Sequence, residues 1–150
     1  MATNTLLQSL NDSANQATTG SSNRRQVETF IASDAIAAND LVALDIGTSN
    51  DSDKMLYIIK ANSATGAGVV AIGFALDAAA AAGDLVRVTI AGVHESANVD
   101  AATVQGSRLK VSNTAGRAGI YANTDTVPVL GYAVEADTAN VATVIVIKQI

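Results

Sequence analysis

The sequence lacks the residues on which several kinds of chemistry depend. It contains no cysteine, which excludes disulfides, thiolate catalysis and cysteine-ligated zinc. A single histidine, His94, excludes most metal sites built from several imidazoles. With no tryptophan, two phenylalanines and three tyrosines, the chain is also poor in the aromatic platforms that single-strand nucleic-acid binders and many sugar sites use. We therefore predict no bound metal and no cofactor.

The charge balance and the apolar pattern exclude further classes of protein. Nine Lys and Arg residues stand against fourteen Asp and Glu residues, so the net charge is −5. A chain of this charge repels a polyanion, which argues against nucleic acid as a partner. No apolar run reaches about 18 residues, and the N-terminus has no positive region followed by an apolar block. We therefore predict neither a membrane span nor a signal peptide.

The first 27 residues differ in composition from the rest of the chain. Asn, Gln, Ser and Thr dominate residues 1–27, and the few apolar residues are scattered. Such a segment buries too little to offset its ordering entropy, so we predict a mobile arm that reaches roughly 90 Å when fully extended. Four residues would share one face of a helix, so a short docking helix is the alternative: Leu6, Leu10, Ala14 and Ala17. Arg24 and Arg25, the only basic doublet, form either a solvated hinge or a contact with an acidic neighbour.

From residue 28 onward, short alternating apolar runs are separated by turn residues about every ten positions. This pattern is typical of an all-β sandwich or barrel. We predict strands at residues 29–32, 41–46, 54–60, 69–76, 85–93, 108–112, 119–122, 127–135 and 141–149. The sequence thus predicts a compact β-barrel or sandwich over residues 28–150, with an extended polar N-terminal arm over residues 1–27.

Two stretches of the sequence recur. Residues 72–78 (IGFALDA) return as residues 130–136 (LGYAVEA), and residues 39–46 (NDLVALDI) return as residues 83–90 (GDLVRVTI). The copies are too few and too irregularly spaced for a solenoid. We interpret them as equivalent hairpins of one sheet system.

The predicted strands at 69–76 and 127–135 each have a large and a small face. Side chains alternate across a strand, so the large residues predicted to face the core are Val70, Ile72, Phe74, Leu76, Leu130, Tyr132 and Val134. The opposite faces carry only small residues, among them Gly73 and Gly131. A small apolar face with a glycine indicates close approach by another backbone, supplied either by another subunit or by a second sheet of the same domain. Residues 141–147 (VATVIVI) are apolar on both faces, which suits a central or subunit-covered strand.

Three features were weighed for chemistry, and none predicts an enzyme. His94 is the only classical general base, and one member of a triad is no signature of catalysis. One loop carries four side chains whose oxygens could bind calcium: Asp45, Asn50, Asp51 and Asp53. Their spacing does not follow the known calcium-loop pattern, so a solvated turn is favoured. The five alanines after Asp77 form either one helical turn, capped by Asp77 and ended by Gly83, or a connecting turn pressed against the sheet.

Residues 71–93 (AIGFALDAAAAAGDLVRVTIAGV) resemble the core of the small capsid decoration proteins, or cement proteins, of tailed bacteriophages. That family typically has an Ile-Gly-Val-Ala-Leu strand, an Ala-rich linker, Gly-Asp or Gly-Glu, and a Val-rich strand ending in Gly-Val. Residues 36–46 (IAANDLVALDI) and 127–136 (VPVLGYAVEA) fit the same layout. The resemblance spans most of residues 35–136, and the long polar N-terminal segment departs from it.

The resemblance implies a non-enzymatic virion protein on the outer surface of an icosahedral head, made in the host cytoplasm. It also implies a homotrimer that bridges neighbouring subunits of the major capsid protein. We expect contacts to capsid or sister subunits from the arm and from the two small strand faces, through Leu6, Leu7, Leu10, Arg24, Arg25, Ala71, Gly73, Ala75, Gly131 and Ala133. The alternative is a carbohydrate- or receptor-binding β module of a tail fibre or cell-surface protein, which would need an exposed aromatic side chain such as Tyr57 or Tyr121.

Overall fold

The described part of the chain folds into nine β-strands. The computed structural model describes residues 25–47, 53–65 and 70–149. The strands are β1 (Arg25–Ala32), β2 (Leu41–Leu44), β3 (Tyr57–Lys60), β4 (Ala71–Ala75), β5 (Leu85–Asn98), β6 (Arg108–Val111), β7 (Ala118–Ile120), β8 (Gly131–Ala133) and β9 (Val141–Val146). Every predicted strand is present, and the all-β prediction is confirmed.

Two strands extend beyond their predicted ends. β1 begins at Arg25, which pairs with Gly92 of β5, so residues 25–27 belong to the β domain rather than to the arm. β5 runs on to Asn98, five residues past the predicted end at Val93. The extra length matters because β5 is the one strand that connects the two halves of the fold.

The first half is a closed five-stranded barrel. Its strands pair in the order β1-β3-β2-β4-β5, and β5 returns to pair with β1. β1 and β3 run parallel, and the other pairs in the ring are antiparallel. Closure leaves no free edge along the ring where the strands overlap, which resolves the predicted choice between barrel and sandwich in favour of a barrel.

The second half is a sheet built on the far end of β5. Its strands pair in the order β5-β9-β8-β6-β7, all antiparallel. Gly92 marks the junction, because it pairs with Arg25 of β1 and with Val146 of β9. A parallel bridge between Val99 and Ala118 brings β7 back to the chain just after β5.

Two hydrophobic cores correspond to the two halves. The barrel interior contains twelve buried residues: Phe30, Ala32, Ile36, Val42, Leu44, Ile58, Ile72, Ala75, Ala79, Val86, Val88 and Ile90. The second core lies between the outside of the barrel and the second sheet, and its larger members are Leu41, Phe74, Val99, Leu109, Leu130, Val144 and Val146. Both β2 and β4 are buried along their whole length because each contributes to both cores.

A β-bulge sets the orientation of β4. Val42 pairs with Gly73 and Ala43 with Ala71, so Ile72 is an extra residue opposite β2. The extra residue shifts the alternation of side chains. Ile72 therefore faces the barrel interior and Phe74 faces the second core. The prediction that both side chains share one face was wrong for this reason.

In the recurring stretches 72–78 and 130–136, the two glycines occupy equivalent places, each on the first strand of a β-hairpin. Gly73 lies on β4, which pairs with β5, and Gly131 lies on β8, which pairs with β9.

The alanine run after Asp77 is a connecting turn rather than a helix. The carboxylate of Asp84 accepts hydrogen bonds from the backbone N–H groups of Ala80 and Ala81 at 2.8 and 3.1 Å, which holds that turn against the barrel.

Candidate interaction surfaces

The outer face of the second sheet is apolar and exposed. Val93 of β5, Ile145 of β9 and Tyr132 of β8 lie in one row across the strands, and Arg108 of β6 follows next to Tyr132. Tyr132 is 43% exposed and Ile145 is 44% exposed. The exposed side chains of Val134 and Ile147 flank this row. We call these five apolar residues the second-sheet face: Val93, Tyr132, Val134, Ile145 and Ile147.

Arg108 forms the rim of the second-sheet face. Its guanidinium lies 4.9 Å from the centre of the Tyr121 ring, and it donates a hydrogen bond to the side-chain oxygen of Asn123 at 2.6 Å. On the other side, the Glu135 carboxylate accepts hydrogen bonds from the backbone N–H and the hydroxyl of Thr143, which precedes Ile145 by two residues on β9. An apolar centre that contains a tyrosine and has charged groups only at its rim is the composition typical of protein–protein interfaces.

A second apolar patch lies at the opposite end of β1. Ile31, near the end of β1, pairs with Leu85 on one side and Tyr57 on the other. Leu85 is 67% exposed. Met55 and Leu56, which precede Tyr57, are 56% and 50% exposed. We define the barrel-end patch as Ile31, Ile46, Met55, Leu56, Tyr57 and Leu85. Contiguous exposed apolar patches of this kind are often functional.

The predicted contact residues of β4 do not form a free surface. Ala71, Gly73 and Ala75 are all buried within the chain. A Cβ atom at Gly73 would lie 1.9 Å from the carbonyl oxygen of Thr89. The close approach predicted from the glycine is therefore real, but the approaching backbone is β5 of the same chain. The prediction of an exposed, mating face on β4 was wrong, and the alternative of coverage within the domain holds.

The orientation of β8 is the reverse of the prediction. Gly131 and Ala133 are buried against β9, and a Cβ atom at Gly131 would lie 2.0 Å from the carbonyl oxygen of Ile145. The small residues thus face the crowded side, and Tyr132 and Val134 face outward. The predicted contact residues of β8 are inaccessible. Tyr132 and Val134, which were predicted to be core, are exposed, whereas Leu130 is buried in the second core as predicted.

The remaining predicted contact residues precede or begin β1. Arg25 is half-buried at the start of β1. Leu6, Leu7, Leu10 and Arg24 lie outside the described residues. The arm contacts stay predictions.

His94 is buried between the two halves of the fold. It is 1% exposed, and its ring stacks on Phe74 with centroids 5.3 Å apart. Nε2 lies 3.2 Å from Oδ1 of Asn39, and Nδ1 lies 3.2 Å from Oγ1 of Thr89. An amide oxygen only accepts, so Nε2 carries the proton and Nδ1 accepts from the Thr89 hydroxyl.

The environment of His94 keeps the imidazole neutral. Burial, followed by the nearby positive charge of Arg25, lowers the pKa of His94 from 6.5 to about 4. A ring that is buried and engaged at both nitrogens joins the barrel to the second sheet and is out of reach of a substrate. Its role in the described fold is structural.

The proposed calcium loop lies mostly outside the described residues. Asn50 and Asp51 are not described, and the carboxylate of Asp45 accepts a hydrogen bond from the backbone N–H of Gly47 at 3.1 Å. Within residues 25–47, 53–65 and 70–149, no three His, Cys, Asp or Glu side chains are grouped as metal ligands. In the same ranges, no helix has the length and apolarity needed to cross a bilayer.

The barrel-end patch was missed from the sequence, and the second-sheet face was anticipated only through the interpretation of residues 141–147 as a central or subunit-covered strand. Leu85 and Leu56 each stand at a strand end, where neither periodicity nor composition distinguishes a covered residue from an exposed one. A signal did exist for the second-sheet face, because residues 141–147 are apolar on both faces. One face of β9 fills the second core, and the other, with Ile145, has no covering strand in the described chain.

No protein-family model matches the sequence, and no curated protein matches it. Among solved structures, the chain is similar to the crystal structure of the head fiber gp8.5 N base in bacteriophage phi29. The two share 19% sequence identity with a TM-score of 0.56, and the match covers 83% of this chain and 96% of that chain. This likeness establishes a common fold over nearly the whole of the head fiber base.

Proposed function

We propose that this protein is a non-enzymatic bacteriophage head protein that decorates the outer capsid surface and stabilises the head by bridging neighbouring subunits of the major capsid protein. Two observations support the proposal: the fold is shared with the head fiber base of phi29, and the second-sheet face is an uncovered surface of interface-like composition. Many modest contacts repeated over a lattice couple subunits that would otherwise open singly.

The capsid contact is assigned to the second-sheet face together with residues 1–24. Arg25 pairs with Gly92, and Gly92 is followed by Val93 of that face. The described chain thus begins beside the second-sheet face, which supports assigning residues 1–24 and this face to the same partner. The net charge of the chain is −5, but the centre of this face is apolar, and Arg108 and Glu135 lie at its rim, so we expect the contact to be mainly apolar.

The contact between copies of the chain is assigned to the barrel-end patch, in a homotrimer. This patch lies at the other end of β1 from Arg25, at a distance of about 25 Å for an eight-residue strand. It is wholly apolar apart from the Tyr57 hydroxyl, as expected of a homo-oligomer interface, which is more hydrophobic than a transient one. Separate surfaces allow a trimer to bind the capsid without breaking its own contacts.

The test measures binding of purified protein to heads that lack it, by co-sedimentation, and the molar mass in solution, by light scattering. Replacing both Tyr132 and Ile145 with Ser should weaken head binding by roughly tenfold or more without changing the molar mass. Deleting residues 1–24 should do the same. Leu85→Ser should lower the molar mass toward that of a monomer.

Val104→Ser is the matched control, because Val104 is 59% exposed and belongs to neither patch. It should change neither quantity. Head binding by the Tyr132 and Ile145 double variant at the wild-type level would refute the assignment of the capsid contact. Failure of the wild-type chain to bind heads at all would refute the proposed function.

A further inference from the structure

A groove lies where β7 approaches the turn after β5. Its volume is about 550 Å³, which lies within the range of small-molecule sites. Its walls come from β6, β7 and the turns that adjoin them. The polar side chains lining it are Asp100, Lys110, Ser112, Asn113, Thr114, Arg117 and Asn140. We refer to it as the β7 groove.

The Asp100 carboxylate is held in place inside the β7 groove. Oδ2 of Asp100 accepts a hydrogen bond from the buried Ser112 hydroxyl at 2.6 Å. The Ser112 oxygen in turn accepts from the backbone N–H of Thr114 at 2.9 Å. A Cβ atom at Gly119 would lie 2.9 Å from the same Asp100 oxygen, so the glycine permits the carboxylate to sit there. The groove thus contains a fixed acceptor.

The two cations in the groove differ in their pairing. Lys110 forms an ion pair with Asp125 at 2.7 Å, which also lowers the pKa of Asp125 through that hydrogen bond. Arg117 is half-buried and forms none of the ion pairs found among the described residues. A guanidinium fork matches a carboxylate in a bidentate geometry.

We propose that the β7 groove binds an acidic saccharide, with the carboxylate of a uronic acid on Arg117. Sugar hydroxyls both donate and accept, so they require acceptors and donors together. Here Asp100 accepts, the Asn140 amide can do both, and the Asn113 amide donates through Nδ2 because its oxygen already accepts from the Ser63 hydroxyl. The 40%-exposed side chain of Ile120 lies in the same groove and offers an apolar surface for the C–H face of a pyranose ring. A simple anion would experience the same repulsion from Asp100 as a uronate and would gain nothing from these hydroxyl-binding groups in return.

This site adds a ligand to the proposed capsid role and does not depend on it. It also removes the main objection to glycan binding by this chain, which was the scarcity of aromatic platforms. In the β7 groove, Ile120 supplies the apolar surface that an aromatic side chain provides in many sugar sites, and the Asp100 carboxylate supplies the fixed acceptor.

The experiment titrates the full-length, nitrogen-15-labelled chain with sodium glucuronate, methyl glucoside and sodium acetate. Binding is measured by NMR as the change in the chemical shifts of the backbone amides. Glucuronate should shift the amides of the groove with a Kd of about 1 mM, the affinity expected of a ligand of that size. Methyl glucoside and acetate should each bind at least tenfold more weakly. Equal binding of acetate would mean an anion site only and would overturn the proposal, as would the absence of shifts in the groove with glucuronate at about 10 mM.

Arg117→Gln is the diagnostic variant, and Arg87→Gln is its matched control. Arg87 is exposed and pairs with Asp77, outside the groove lining. Arg117→Gln should weaken glucuronate binding roughly tenfold while its remaining amide spectrum stays native, and Arg87→Gln should bind as the wild type does. Wild-type affinity in the Arg117 variant would overturn the proposal.

Discussion

Acidification should destabilise this fold through His94 before its carboxylates titrate. The pKa of His94 is about 4 in the folded chain because burial and the charge of Arg25 disfavour the imidazolium. In the unfolded chain the pKa returns to 6.5. Between these values the unfolded state binds a proton that the folded state does not. The stability that neutral His94 provides is therefore complete above about pH 6.5 and is lost as the pH falls from 6.5 to 4.

The size of the effect follows from the difference between the two pKa values. Each unit corresponds to about 1.4 kcal/mol, so the full loss is about 3 kcal/mol, and the loss between pH 7 and pH 5 is about 2 kcal/mol. That is a substantial part of the 5 to 15 kcal/mol by which domains are usually stable. The carboxylates whose pKa values are lowered by hydrogen bonds from Arg87, Lys110 and Thr143 lose their contribution only at lower pH.

The assay is urea unfolding of the wild type and His94→Gln at pH 7, 6 and 5. Glutamine does not titrate, so the variant, though less stable overall, should lose about 2 kcal/mol less than the wild type over this range. Equal pH dependence in the two proteins would refute the reasoning. A histidine ring titration near pH 6.5 in the folded wild type, seen by NMR, would refute it independently.

Two further predictions concern the contacts that join the strands. Gly73→Ala should prevent folding or cost more than about 3 kcal/mol, because its Cβ would meet the Thr89 carbonyl oxygen at 1.9 Å, whereas Gly47→Ala, whose Cβ would meet no atom closer than 3.4 Å, should be tolerated. Wild-type urea stability of Gly73→Ala would contradict this reading of β4. Asp40→Ala should cost roughly 2 to 4 kcal/mol in urea unfolding, since the buried Asp40 carboxylate accepts two hydrogen bonds at 2.9 Å. Asp84 is the exposed counterpart of Asp40 in the recurring stretch, and Asp84→Ala should lower the free energy of unfolding by about 1 kcal/mol or less. Similar losses of stability in the two variants would argue against a stabilising role for the buried hydrogen bonds of Asp40.

The strands could be predicted from the sequence because alternation and turn residues are local signals. The positions of residues within those strands depend on the partner strand. Ile72 is an extra residue relative to β2, so the alternation read through Gly73 to Phe74 failed at that point. No pattern within residues 69–76 contains this information.

The small-residue faces show a second limit of sequence reasoning. Gly73 and Gly131 correctly predicted the close approach of another backbone. The sequence could not say whose backbone it was, because a strand of the same chain and a strand of another subunit impose the same steric demand. The exposed surfaces arise instead from side chains such as Tyr132 and Leu85, which local patterns assign to a core as readily as to an interface.

The central claim is that this chain binds the outside of a phage head. Cryo-electron microscopy of phage particles produced from a genome that encodes this chain tests it most directly. The account predicts density for the barrel and second sheet on the outer capsid surface, at positions that span neighbouring major capsid subunits, with Tyr132 and Ile145 against the capsid. Density for this fold only in the tail, or heads that carry none of it, would contradict the account.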